Sequence, residues 1–152
     1  MTMNNETVLD KLQYLLGTLR DGEKGFADAA EHATDPQLKT LFTERSAQRT
    51  RLAAEVEAHI ARLGDKPREG GSVGAALHRT WLNVRDALTG RDDYQVVAEA
   101  ERGEDVAVEN YQDVLKEAEL PADIRAFVEG QFAQVKASHD QIRDMKHGMQ
   151  AS

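Results

Sequence analysis

The stretch LDKLQYLLGTLRDGEKGFADAAEHA, Leu9 to Ala33, keeps an unbroken 3,4 spacing of inward positions: Leu9, Leu12, Leu16, Leu19, Glu23, Phe26, Ala30 and Ala33. A second stretch, YQVVAEAERGEDVAVENYQDVLKEA, Tyr94 to Ala118, repeats the pattern with Tyr94, Val97, Glu101, Glu104, Val108, Tyr111, Leu115 and Ala118. That period is helical, so each stretch predicts a long amphipathic helix with one face in a core. Both seams also carry glutamate among apolar residues. An ionised carboxylate taken out of water must meet a cation, a hydrogen-bond donor or a proton, so the fold and the candidate chemistry meet at these positions.

Working outward, helix 1 is predicted from Asn5 to about Ala33. Thr34, Asp35 and Pro36 then supply an N-cap and a first-turn proline for the next helix. Helix 2 carries Leu38, Leu41, Phe42, Arg45, Gln48, Leu52, Val56, His59, Ile60 and Leu63 on one side and stops at Gly64. Residues 65–72, DKPREGGS, read as loop. A shorter helix over about residues 72–90 has Val73, Leu77, Trp81, Val84 and Leu88 on one stripe, with Trp81 as its wedge against the rest. Helix 3 is predicted over about Asp92 to Ala118. Pro121 turns the chain into helix 4, whose seam is Ile124, Phe127, Val128, Gln131, Val135, Ser138, Ile142, Met145 and Met149. Two antiparallel helical hairpins joined by a long helical crossover is the ferritin-like arrangement, whereas an up-down-up-down bundle uses short loops throughout. The expectation is one all-α, ferritin-like four-helix-bundle domain over residues 1–152.

Composition narrows the function classes. Asp and Glu number 27 against 19 Lys and Arg, a formal net charge of -8, which argues against nucleic-acid and anionic-membrane partners. There is no cysteine, so disulfides, thiolate metal sites and thiol catalysis are excluded. The N-terminus lacks the pattern of a secretion signal and no apolar run approaches the ~20 residues of a membrane span, so a soluble, cytoplasmic protein is expected. No hydroxyl nucleophile has a base beside it and no phosphate-cradling loop follows a strand.

The run Gly103-Glu104-Asp105-Val106-Ala107 with Tyr111 resembles the Gly-Glu-x-x-Ala-x-x-x-Tyr stretch of rubrerythrin-like helices, and Gly22-Glu23 with Phe26, Ala27 and Ala30 is a weaker echo. Including the Leu77-His78-Arg79-Thr80-Trp81 crossover and the Ser138-His139-Asp140 end, the whole chain resembles a bacterial family of four-helix-bundle proteins of unknown function in the ferritin-like superfamily. The rubrerythrin resemblance implies that Glu104 stands where an iron ligand stands there. Carboxylate-bridged di-iron bundles combine such glutamates with two Glu-x-x-His pairs. This sequence has no Glu-x-x-His: the corresponding places read Gln48-x-x-Arg51 and Lys136-x-x-His139.

Two readings of the buried acids follow. In the first, Glu23, Glu101, Glu104 and His139, with Gln131 as a neutral oxygen donor, hold one iron, manganese or zinc ion. In the second, the same glutamates meet Arg45, Gln48, Gln131 and either Arg49 or Arg51 in a buried polar layer that fixes helix register and needs no metal. The second is preferred, because two of the four expected carboxylates are replaced and cations stand near the place of iron. Glu55 and His59, one helical turn apart, are a weaker surface pair, while His32, His78 and His147 read as structural. Gly22, Gly25 and Gly103 suggest room beside the glutamates or close helix approach.

The function expected from this is non-catalytic: a ferritin-like bundle with a degenerate metal centre and a structural, binding or stress-associated role, with no cofactor required for folding. A non-haem iron or manganese bundle reacting with oxygen or peroxide is the enzymatic alternative. A helical adaptor that forms homo- or hetero-oligomers is the third.

Overall fold

The first helix starts where Asn4 accepts a hydrogen bond from the Thr7 amide at 2.8 Å, satisfying one of the amides that the first turn leaves without a partner. The computed structural model describes residues 4–68 and 92–151 of the chain. Among these residues there are four helices and no strand: α1 (Asn5–His32), α2 (Pro36–Arg62), α3 (Asp93–Leu115) and α4 (Ala122–Ala151). The predicted crossover helix over residues 72–90, with His78 and Trp81, lies outside the described residues.

Local chemistry sets the boundaries. Asp35 caps α2 by accepting from the Gln37 amide at 2.8 Å, directly before Pro36. At the other end Gly64 takes φ 85°, and the amides of Gly64 and Asp65 return to the carbonyls of Ala61 and Ile60 at 3.0 and 3.1 Å. This is the left-handed stop expected of that glycine. Helix α3 ends at Leu115, short of the expected Ala118. Arg125 explains it, donating to the carbonyl of Leu115 at 3.0 Å and to that of Glu117, so that carbonyls freed at the helix end have a partner while Leu120 turns into the core.

Helix α1 packs on α2, α3 on α4, and α1 on α3. The cross-links between helices fix direction: Tyr14 pairs with Asn110 while Thr34 pairs with Asp93, so α1 and α3 are antiparallel. Since α1 is also antiparallel to α2, helices α2 and α3 run parallel, and the chain between them joins opposite ends of the bundle. That is the ferritin-like topology.

The interior is two apolar clusters with a polar layer between them. One cluster is built on Leu12, Leu19, Leu52, Val56, Tyr111, Val114, Val128 and Val135. The other is built on Phe26, Phe42, Val96, Val97, Ala100 and Ile142, with the Phe26 and Phe42 rings stacked at 6.0 Å. Gly22, Arg49, Glu104 and Ser138 lie in sequence between the contributions each helix makes to the two clusters. No described helix is long and apolar enough to cross a membrane.

Candidate functional site

Glu104 is inaccessible to solvent, as its seam position predicts. Its Oε1 accepts from an Arg49 guanidinium nitrogen, and its Oε2 accepts from Ser138 Oγ at 2.6 Å. Arg49 is 1% exposed, donates from Nε to Gln48 Oε1 at 3.3 Å, and lays its guanidinium 5.4 Å from the centre of the Phe26 ring. Its stem passes beside Gly22, where an added Cβ would stand 3.5 Å from Arg49 Cγ, an ordinary contact. Arg45, half-buried nearby, has its pKa lowered by burial first; Glu104 opposes that shift and the Arg49 charge reinforces it. The centre therefore holds one carboxylate with two guanidinium groups around it. That donor set does not fit a dinuclear metal: a pair of divalent cations there would have one anionic ligand and two cationic neighbours.

The remaining predicted residues separate. Glu23 is half-buried on the α1–α2 flank, where it accepts from Arg20 at 3.2 Å and from Thr50, and it is not brought to Glu104. Arg51 is exposed and takes no part in the layer; of the two arginines left open by sequence, Arg49 is the buried one. Gln131 is buried, but in a different node: Tyr111 donates to its Oε1 at 2.8 Å, and its Nε2 donates to Leu52 O at 2.9 Å and Glu55 Oε1 at 3.2 Å. Burial pushes the Tyr111 hydroxyl pKa well up, so it stays a donor. Glu55 is engaged by Gln131, while His59 lies against Phe127 with ring centres 3.9 Å apart and has its pKa lowered chiefly by burial.

Glu101 and His139 do come together, along with Asp105, which sequence reading passed over. One ligand atom from each lies within 4.8 Å of the others. His139 Nε2 is 2.5 Å from Asp105 Oδ1 and Nδ1 is 2.9 Å from Asp140 Oδ1. Burial alone would lower the His139 pKa, but the contacts with Asp140 and Asp105 outweigh it and raise it. Asp140 is held below its ordinary value by His139 and then by Lys136. The Lys146 ammonium is 3.4 Å from Glu101 Oε2, an oxygen shut off from solvent that accepts no hydrogen bond. The i,i+4 spacing of Glu101 and Asp105 was the available signal for this group.

Comparison with known proteins agrees with this architecture. Residues 7–117 match the family described as a domain of unknown function, DUF2383, and the chain belongs to that family. No curated protein matches significantly. Among solved structures the chain is similar to a point mutant of Mycobacterium smegmatis Dps1, with 17% identity and a TM-score of 0.75 over 93% of this chain and 96% of that one. It is also similar to a C-terminal deletion mutant of Mycobacterium smegmatis Dps, with 16% identity and a TM-score of 0.71 over 92% and 98% of the two chains. A third is a two-domain protein of Anabaena variabilis with DJ-1/ThiJ/PfpI-like and ferritin-like domains, at 20% identity and a TM-score of 0.78. The match covers 97% of this chain and 41% of that one. At these identities the likeness is one of fold.

Proposed function

We propose that this member of the DUF2383 family is a ferritin-like bundle whose centre is a structural ion pair, and that it serves as a structural or binding module without oxidase activity. The observation that carries this reading is the Arg49–Glu104 pair, both side chains 1% exposed, closed by Ser138. Arg49 supplies the buried carboxylate with a positive charge and a directed donor and Ser138 supplies a second donor, so both Glu104 oxygens are satisfied by the chain's own residues. Loading iron at Glu104 would require expelling Arg49 from a site where Phe26 and the Gly22 backbone already surround it.

The test is iron oxidation in air by tag-free protein purified without chelator, together with metal analysis. The expected result is Fe(II) oxidation no faster than the buffer blank. Oxidation well above the blank that is lost in Glu104→Gln, or stoichiometric metal lost in the same variant, would overturn the reading in favour of a non-haem metal enzyme.

A further inference from the structure

We propose that Glu101, Asp105 and His139 form a mononuclear site for a first-row divalent cation, zinc being the probe of choice, on the α3–α4 flank and separate from the Arg49–Glu104 centre. Glu101 and Asp105 are one turn apart on α3, and antiparallel α4 sets His139 against them, so the three ligand atoms fall within 4.8 Å of one another. Two carboxylates and one neutral imidazole carry a charge that a divalent ion balances, and this mixed oxygen and nitrogen set suits zinc, manganese or iron.

Two further features point to a ligand. Asp140 lies 2.9 Å from Nδ1, so the Nδ1–H is engaged and Nε2 is the nitrogen turned toward Asp105, the carboxylate–histidine arrangement that orients a metal-bound imidazole. Glu101 Oε2 is hidden from solvent and accepts no hydrogen bond, its closest cation being the Lys146 ammonium at 3.4 Å. Lys146 is 26% exposed on a flexible stem, free to move into water when a cation binds. Seating a tetrahedral ion about 2.0–2.2 Å from each donor requires Nε2 and Asp105 Oδ1 to part from 2.5 Å to about 3.4 Å, which the half-exposed Asp105 side chain has room to do. The cation takes the place of the proton these two atoms share. Glu104, turned inward to Arg49 and Ser138, is no part of the site.

Calorimetric titration of the tag-free, chelator-stripped full chain with zinc chloride tests the proposal. One equivalent should bind, and His139→Ala and Asp105→Asn should each weaken it by at least about tenfold while circular dichroism shows wild-type helicity. Asp140→Asn should keep the stoichiometry and weaken affinity by about 10- to 100-fold, as loss of a group orienting a ligand does. Absence of one-to-one binding in the wild type overturns the proposal, as does binding that survives both His139→Ala and Asp105→Asn. Binding lost in Glu104→Gln but retained in His139→Ala would overturn the proposal and refute as well the reading of the centre as a closed ion pair.

Discussion

Arg49 and Glu104 are each inaccessible, so neither can fall back on water when the other is removed. Glu104→Met or Arg49→Met alone should therefore destabilise by about 3–5 kcal/mol, because a buried charge is left without its counter-charge. The double variant with Arg49→Met and Glu104→Met, similar in volume and uncharged, should recover most of that loss. Denaturant unfolding of the four proteins as a double-mutant cycle measures it, and additive losses would show that the two groups are not coupled. Gly22 makes an opposite prediction. A Cβ there would meet Arg49 atoms at 3.5–3.7 Å, ordinary contact, while alanine gains about 0.8–1 kcal/mol over glycine within a helix. Gly22→Ala should raise stability by up to about 1 kcal/mol, whereas Gly22→Leu should displace the Arg49 stem and lower it; a loss in both would mean that Arg49 tolerates no neighbour.

Helix by helix, the sequence was enough to read the four described helices and the start and stop of α2, but not which of two adjacent stripes faces inward. In α1 the buried row is Leu15, Leu19, Gly22, Phe26, Ala29 and Ala33, and in α3 it is Val97, Ala100, Glu104, Ala107, Tyr111 and Val114. Glycine and alanine in these rows carry little hydrophobic signal, so Glu23 and Glu101 looked as central as Glu104. A seam of strict heptad spacing also drifts by about 20° per heptad on a straight helix. Gly22 signals room within α1, but that Arg49 of α2 comes to lie there is not visible in α1. The end of α3 is likewise decided elsewhere, by Arg125 on α4. Between elements, Asp93 joins the start of α3 to the α1–α2 turn, accepting from the Thr34 amide at 2.9 Å, Thr34 Oγ1 at 2.7 Å and the Asp35 amide at 3.0 Å. Burial would raise its pKa, but these bonds and the Lys39 charge hold it below its ordinary 3.8. A carboxyl whose folded pKa is depressed contributes stability above its unfolded pKa and loses it as pH falls through the folded value. Asp93→Asn should thus cost about 1 kcal/mol near pH 7, a charged hydrogen-bond contribution reduced by solvent screening. The gap between the two proteins should close below pH 3.8. Urea unfolding at about pH 7, 5 and 3 checks this, and a gap constant across the series would show that the Asp93 charge is not what ties these elements together.

For the molecule as a whole, on the proposed reading the two apolar clusters and the Arg49–Glu104 layer between them close the bundle without an ion, while the α3–α4 flank holds one. Folding and cation binding are then linked only by mass action. Chelator-stripped protein should keep its full helicity and unfold in one cooperative transition. Zinc at about 100 times its dissociation constant should add about 2.7 kcal/mol, provided the unfolded chain binds it negligibly. For a chain of this size each kcal/mol moves the midpoint by about 2–4 °C, so a rise of about 5–10 °C is expected in thermal denaturation. His139→Ala should cut that rise to about half or less at the same zinc concentration, measured from its own zinc-free midpoint, since the substitution also removes the contacts to Asp105 and Asp140. Collapse of helicity on chelation would mean that an ion, and not Arg49, holds the interior together. A zinc-induced rise that persists undiminished in His139→Ala would place the cation away from the α3–α4 flank.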